Sequence, residues 1–310
     1  MVFELYRVKL GYSYNALVRI DSVLDFYRSI QYVPSSSLLG RISFALKLFY
    51  SIVRRNTEKR SFGSLVEPFL QAGFIALPWS QHPQEKVTFI TFDNVSGKFL
   101  KYGKSCRAVA SLKTEVSGVQ EFTRVLSDQS GWTVITPEFT EGEKTSEVVL
   151  VYPLVKAKRS KELPPISFPI RDSLAFNESA YFKHTYPIIR KFCSANYLAI
   201  NDFVELGVKA YGDEIVGICS MHGDLSNSNV LVSPSGSILI DFEDFTNEGI
   251  NIEKEYFDFR YRFDREKTFE IETALDFFCV YHYLYFQSKH ESEFTLEKIK
   301  ISEDNISLNI

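Results

Sequence analysis

The stretch ICSMHGDLSNSNVLVSPSGSILIDFED, residues 218–244, decides how the chain folds. Within it VLV (Val230 to Val232) and SILI (Ser237 to Ile240) read as short strands, joined by the tight-turn residues Ser233, Pro234, Ser235 and Gly236. The two open ends of a hairpin are neighbours. Asn229, just before the first strand, and Asp241, just after the second, are therefore expected to face one site. Asp224 lies five residues before Asn229, on the loop that enters the hairpin. Two carboxylates and an amide are thus expected together.

Phosphoryl transfer needs a carboxylate that can accept a hydroxyl proton and oxygen ligands that hold magnesium against the phosphates. Asp224, Asn229 and Asp241 can supply those roles. The segment also resembles a known family. HGDLSNSN followed by LIDFED is similar to the catalytic loop and metal-binding motif of the aminoglycoside phosphotransferase and choline kinase group, relatives of the protein kinases. That resemblance implies Asp224 as catalytic base, Asn229 and Asp241 as Mg2+ ligands, and ATP as the donor. It also implies that His222 and Gly223 shape the loop and that Asp258, in EYFDF, braces it.

Upstream, KVTFITFD from Lys86 and KFLKYG from Lys98 read as a hairpin turned by Asn94, Ser96 and Gly97. A helical stretch from about Ala108 to Leu126 and the strand EVVLVYP from Glu147 to Pro153 follow. The family implies a strand lysine on the α- and β-phosphates and a helix glutamate that orients it. Lys101 and Glu115 fit that order and spacing. Lys98 and Lys104 are rivals of the lysine, but strand alternation puts Phe99 and Lys101 on one face and Lys98 and Leu100 on the other. Glu121 is the rival of Glu115. The glycine-rich turn that the resemblance places over the phosphates falls on SQHPQEK, Ser80 to Lys86, and contains no glycine.

KAKRSKELPPISFP, from Lys156, reads as an irregular connection, and helical patterns dominate beyond it: roughly Glu178 to Tyr211 despite Pro187, and Glu266 to about His290. The abundant phenylalanine and tyrosine most simply fill the core of this helical part. The expected fold is a bilobal α+β protein-kinase-like domain with a small β-rich N-lobe, a mainly helical C-lobe and ATP in the cleft. The expected divisions are a helical extension over 1–64, a nucleotide-covering N-lobe over 65–155 and a catalytic, acceptor-binding C-lobe over 156–310. In the extension, LLGRISFALKLFYSIVRR, from Leu38 to Arg55, reads as a helix with a wide apolar face. It either packs on the body or docks on a membrane surface or a partner, where Arg41, Lys47, Arg54 and Arg55 could meet anionic headgroups.

Function classes narrow further. Gly223 stands where protein kinases carry arginine, and no Ala-Pro-Glu follows Asp241. The acceptor is therefore read as a hydroxyl of a small molecule or glycan: a sugar, an amino alcohol or an aminoglycoside-like compound. Acidic residues at 243, 244, 248, 253, 255 and 258 could attract a cationic acceptor. A net charge of -4 announces no nucleic-acid partner, and four scattered cysteines read as free thiols of a cytoplasmic protein. The other class that fits is a catalytically silent, kinase-like binding module, a reading that the glycine-free phosphate loop favours.

Overall fold

The computed structural model describes residues 1–10, 15–32, 38–78, 86–92, 97–143, 145–155, 157–196, 198–263, 265, 269–292 and 299–301. The chain begins β1 (Val2–Lys9), β2 (Asn15–Arg19), α1 (Val23–Tyr32), α2 (Leu38–Val53), β3 (Thr57–Ser61), β4 (Phe74–Pro78), β5 (Val87–Thr91), β6 (Lys98–Gly103) and α3 (Cys106–Val125). Then come β7 (Trp132–Val134), β8 (Glu138–Glu141), β9 (Val148–Pro153), β10 (Lys158–Arg159), β11 (Asp172–Ala175), α4 (Ala180–Asn196), α5 (Leu198–Tyr211) and β12 (Ile215–Met221). The remainder is β13 (Val230–Ser233), β14 (Gly236–Leu239), β15 (Thr246–Ile250), α6 (Glu253–Phe263), β16 (Phe269–Ile271), α7 (Ala274–Lys289) and β17 (Ile299–Ile301). The fold is α+β, rich in strands at the N-terminal end and in helices towards the C-terminal end.

Two compact units divide the chain: residues 1–116 with 136–156, and residues 117–135 with 157–310. The first is built on one eight-stranded sheet of order β3-β1-β2-β4-β5-β6-β9-β8, antiparallel throughout. Period-two alternation sorts its side chains onto two faces. Leu5, Leu17, Phe74, Phe89, Leu100 and Val149 meet Val66 and Leu70 of the segment that covers one face. Val8, Val18, Ile75 and Ile90 meet Phe44 and Leu48 of α2 on the other. On that second face, Val148 and Leu150 of β9 pack with Leu112 of α3. Burying a leucine such as Leu48 stabilises by about 1.5–3 kcal/mol, which is how a helix with apolar residues nearly all round is held.

The first 64 residues are corrected by this topology. They were expected as a helical extension, but they supply β1, β2 and β3 to the sheet, beside helices α1 and α2. The alternation in VFELYRVK, with Phe3, Leu5 and Val8 buried, is what seats β1.

The second unit has its largest core among α4, α5, α6 and α7, where Ile189, Phe203, Phe259, Phe277 and Tyr281 are buried together. Gly207 of α5 lets the helix pass against the Phe277 ring, since a Cβ there would fall 1.9 Å from it. α7 starts on a capping box, in which the Thr273 side chain accepts from the Asp276 N–H and Asp276 accepts from the Thr273 N–H. Pro187 sits inside α4 and deprives it of one backbone donor. Two small sheets complete the unit, β10-β13-β14-β7 and β11-β12-β15, with the pair β16-β17. β12 ends at Met221, so its last residue delivers the chain directly into the His222-Gly223-Asp224 loop.

Candidate active site

In the first unit, β6 carries Lys101 on the sheet face that packs against α3. Its Nζ donates to both oxygens of Glu115, at 2.8 and 2.9 Å, and the Tyr152 hydroxyl donates to Glu115 Oε1 at 2.6 Å. The pair is buried, with side-chain exposures of 11% and 1%. The expected pairing is thus present, and the rivals are elsewhere. Lys98 lies over the Phe69 ring, Lys104 is exposed, and Glu121 pairs with Arg124. A second buried lysine went unread in the sequence: Lys86 donates from Nζ to the Ser111 hydroxyl at 3.1 Å.

In the second unit, the loop after β12 is built around Gly223. Its φ is +87°, and a Cβ would fall 2.1 Å from the Asp244 carbonyl oxygen, so no other residue fits without displacement. Its peptide is held from two sides. The Gly223 N–H donates to Glu253 Oε1 at 2.9 Å, and His282 Nε2 donates to the Gly223 carbonyl at 2.6 Å. Tyr181 donates its hydroxyl proton to His282 Nδ1, and burial pushes His282 down to about 4, so this ring is neutral. Burial also pushes the Glu253 carboxyl up to about 8.

His222 is a structural histidine here. Its Nε2 donates to the Ile240 carbonyl at 2.9 Å, its Nδ1 accepts from the Asp224 N–H at 3.4 Å, and its ring packs on Phe242. Phe242 in turn packs on Phe122 of α3, with ring centroids 5.1 Å apart. The apolar residue between Asp241 and Glu243 therefore anchors the strand end.

The expected hairpin forms in the expected register, Val230 opposite Leu239 and Ser233 opposite Gly236. The Ile240 N–H bonds the Asn229 carbonyl at 3.1 Å, which sets Asn229 beside the residue preceding Asp241. Asp241 has φ of +71°, the left-handed region that aspartate tolerates better than most residues. Asn229 Nδ2 donates to the Asp224 carbonyl at 2.8 Å and to Asp224 Oδ2 at 3.0 Å. Two acceptors facing one end of the amide identify that end as nitrogen, so Oδ1 is the end left for a cation. The donor set of a carboxylate and an amide oxygen suits a hard cation that completes its shell with phosphate and water. Among the described residues no group of three or more His, Cys, Asp or Glu is placed to hold a metal by itself.

Asp224 is strongly perturbed. Burial pushes its carboxyl up to about 7; Arg260 opposes that, while Asp244 and Asp241 add to it. Arg260 Nη1 donates to Asp224 Oδ1 at 3.1 Å and to the Tyr256 hydroxyl at 3.1 Å. The guanidinium also lies over the rings of Tyr283 and Phe286.

Several site residues were not read from the sequence. Asp258 was expected to brace the loop but is exposed on α6, and Glu253 of the same helix holds Gly223 instead. Glu253, Tyr256 and Arg260 recur at i, i+3 and i+7, one stripe of α6, and charged residues on an aromatic stripe were the available signal. The run of acidic residues from 243 to 258 is not one surface patch. Asp244 and Glu253 are buried. Burial alone would raise the Asp244 carboxyl, but Lys289 and His290 beside it hold it well below the usual range. The expected phosphate turn, residues 80–85, lies outside the described residues.

No protein-family model matches the sequence, and no curated protein does. Solved structures do. A putative fructosamine-3-kinase from Haemophilus somnus 129PT matches over 74% of this chain and 88% of its own, with 10% identity and a TM-score of 0.47. The resemblance is to small-molecule kinases. A streptomycin-ATP complex of the aminoglycoside phosphotransferase APH(2")-IIa matches over 64% of this chain and 75% of its own, at 16% identity and a TM-score of 0.39. APH(4)-Ia, also an aminoglycoside phosphotransferase, matches over 72% and 88%, at 12% identity and 0.41. At these scores the likeness carries no functional weight, and the site's own geometry decides the reading.

Proposed function

We propose that this chain is an ATP-dependent phosphotransferase that moves the γ-phosphoryl group of ATP to a hydroxyl of a small molecule or glycan. The observation that carries the reading is Asp224: a carboxylate on a pinned loop, pushed up to about 7 and hydrogen-bonded to Asn229. A general base is most effective when its pKa lies near the working pH. In this reading Asp224 accepts the hydroxyl proton of the acceptor as its oxygen attacks the γ-phosphorus, and the bond from that phosphorus to the β-phosphate oxygen breaks to release ADP. Asn229 through Oδ1 and Asp241 through its carboxylate would hold Mg2+. The cation, when bound, would neutralise charge on the transferring group. Lys101, oriented by Glu115, would contact the α- and β-phosphates.

The division of labour follows. Residues 65–155 would cover the nucleotide, and residues 156–310 would carry the catalytic loop and the acceptor-binding surface. Gly223 supports a small acceptor over a peptide, since the loop has no room for the arginine of a peptide-phosphorylating site. The location that suits an ATP-consuming enzyme with free cysteines is the cytoplasm, with residues 38–55 as the segment for any peripheral membrane contact.

The test is mass spectrometry of a metabolite and glycan extract incubated with ATP, magnesium and the protein, beside an Asp224→Ala control. A species that gains one phosphate only with the wild type establishes the transfer and names the acceptor class. ATP bound by a folded wild type with no transfer to any extract component would replace the reading with a catalytically silent binding module.

A further inference from the structure

One helical face of the first unit is unlike an ordinary protein surface. α2 turns Phe44, Leu48 and Ser51 towards the sheet. Its opposite side, where a surface helix carries polar residues, presents Leu39, Ile42, Leu46, Phe49, Tyr50 and Val53, all exposed. Leu39 is 78% exposed and Phe49 61%. The adjoining α1 repeats the inversion, with Val23, Leu24 and Tyr27 exposed while Asp25 and Ser29 are buried. A patch of this kind marks an interaction site rather than scattered surface apolarity.

Charge identifies the occupant. Arg41, Lys47, Arg54 and Arg55 are exposed, and residues 38–55 contain no Asp or Glu, although the whole chain carries a net charge of -4. The helix ends on a Schellman closure, in which the Asn56 N–H bonds the Ser51 carbonyl and the Arg55 N–H bonds the Ile52 carbonyl. The left-handed position of that closure favours glycine. Here it is Arg55, at φ of +50°, so a basic residue stands where backbone strain opposes any side chain. No helix among the described residues is long and apolar enough to cross a membrane, so α2 would lie on a bilayer and not span it.

We propose that α1 and α2 form a docking face for an anionic lipid bilayer. The exposed apolar side chains enter the headgroup boundary, and Arg41, Lys47, Arg54 and Arg55 meet lipid phosphates. A second copy of the chain is disfavoured as occupant, because it would set four basic residues of one α2 segment against four of the other with no acid in either. The proposal stands independently of the phosphotransfer reading.

The experiment is co-sedimentation of the full chain with phosphatidylcholine vesicles containing about one third phosphatidylserine, and with phosphatidylcholine alone. Binding to the anionic vesicles only, weakened by salt, is the expected result. The double substitution Leu46→Ser with Phe49→Ser, at exposed positions, should remove most binding with an unchanged unfolding midpoint. Lys47→Ser and Arg54→Ser should each weaken it about fivefold. Three results would overturn the proposal: wild type left in the supernatant, equal binding to neutral vesicles, or substitutions without effect. A dimer dissociated by the Leu46 and Phe49 substitutions, without vesicle binding, would overturn it in favour of a second copy.

Discussion

Lys101 with Glu115, a buried ion pair, and Arg260 with Asp224, a half-buried one, are built to different ends. The first is bidentate and has a tyrosine hydroxyl on the same carboxylate. Each charge is answered by its partner, and both sit on regular elements, a strand and a helix. The second has one contact at 3.1 Å, and its carboxylate lies on a loop, near two other carboxylates. Burial and those neighbours outweigh the arginine, so Asp224 is left able to take a proton near neutral pH. One pair holds its charges fixed; the other keeps a carboxylate between two states.

That contrast can be broken. The largest expected effect is on the first pair. Lys101→Ala leaves Glu115 buried without its cation and should cost about 3–5 kcal/mol in urea unfolding. Lys101→Ala combined with Glu115→Ala should cost less than the single change, and an additive double variant would show that the pair is not coupled. Arg260→Gln comes next. It removes the charge that lowers Asp224, so the acid limb of the transfer rate against pH, expected near 7 in the wild type, should move up by about one unit or more. An unmoved limb would mean that Arg260 does not set the state of Asp224.

The smallest effect sharpens the picture from the other side of the loop. At pH 4, where the side chain is still largely protonated in the unfolded chain too, Glu253→Gln should change stability by under about 1 kcal/mol, because the amide oxygen can still accept from the Gly223 N–H. The folded Glu253 value is raised to about 8, so its contribution is fully present below the unfolded carboxylate value and is lost as pH rises through about 8. Glutamine has no proton to lose. Unfolding midpoints measured between pH 6 and 9 should fall less steeply for the variant, and equal slopes would contradict a protonated Glu253.

What could be read in advance follows from chemical type. The hairpin of β13 and β14 was legible because turn residues and apolar runs are local signals, and Asn229 and Asp241 came with it. The Lys101–Glu115 pair came from family order and strand alternation combined. Arg260, Glu253 and His282 were not legible in the same way. They lie 36, 30 and 59 residues from the loop groups they touch, and nothing local says that a charge on a helix will turn inward. β1 was missed for a related reason: its partner β3 lies beyond two apolar helices, and those helices coloured the whole N-terminal reading.

The central claim is that Asp224 acts as the base in phosphoryl transfer, and the most direct measurement follows nucleotide binding and transfer in one sample of Asp224→Asn. Retained ATP binding with transfer reduced about a hundredfold to ten-thousandfold is the expected result. Transfer at the wild-type rate in that variant would contradict the account.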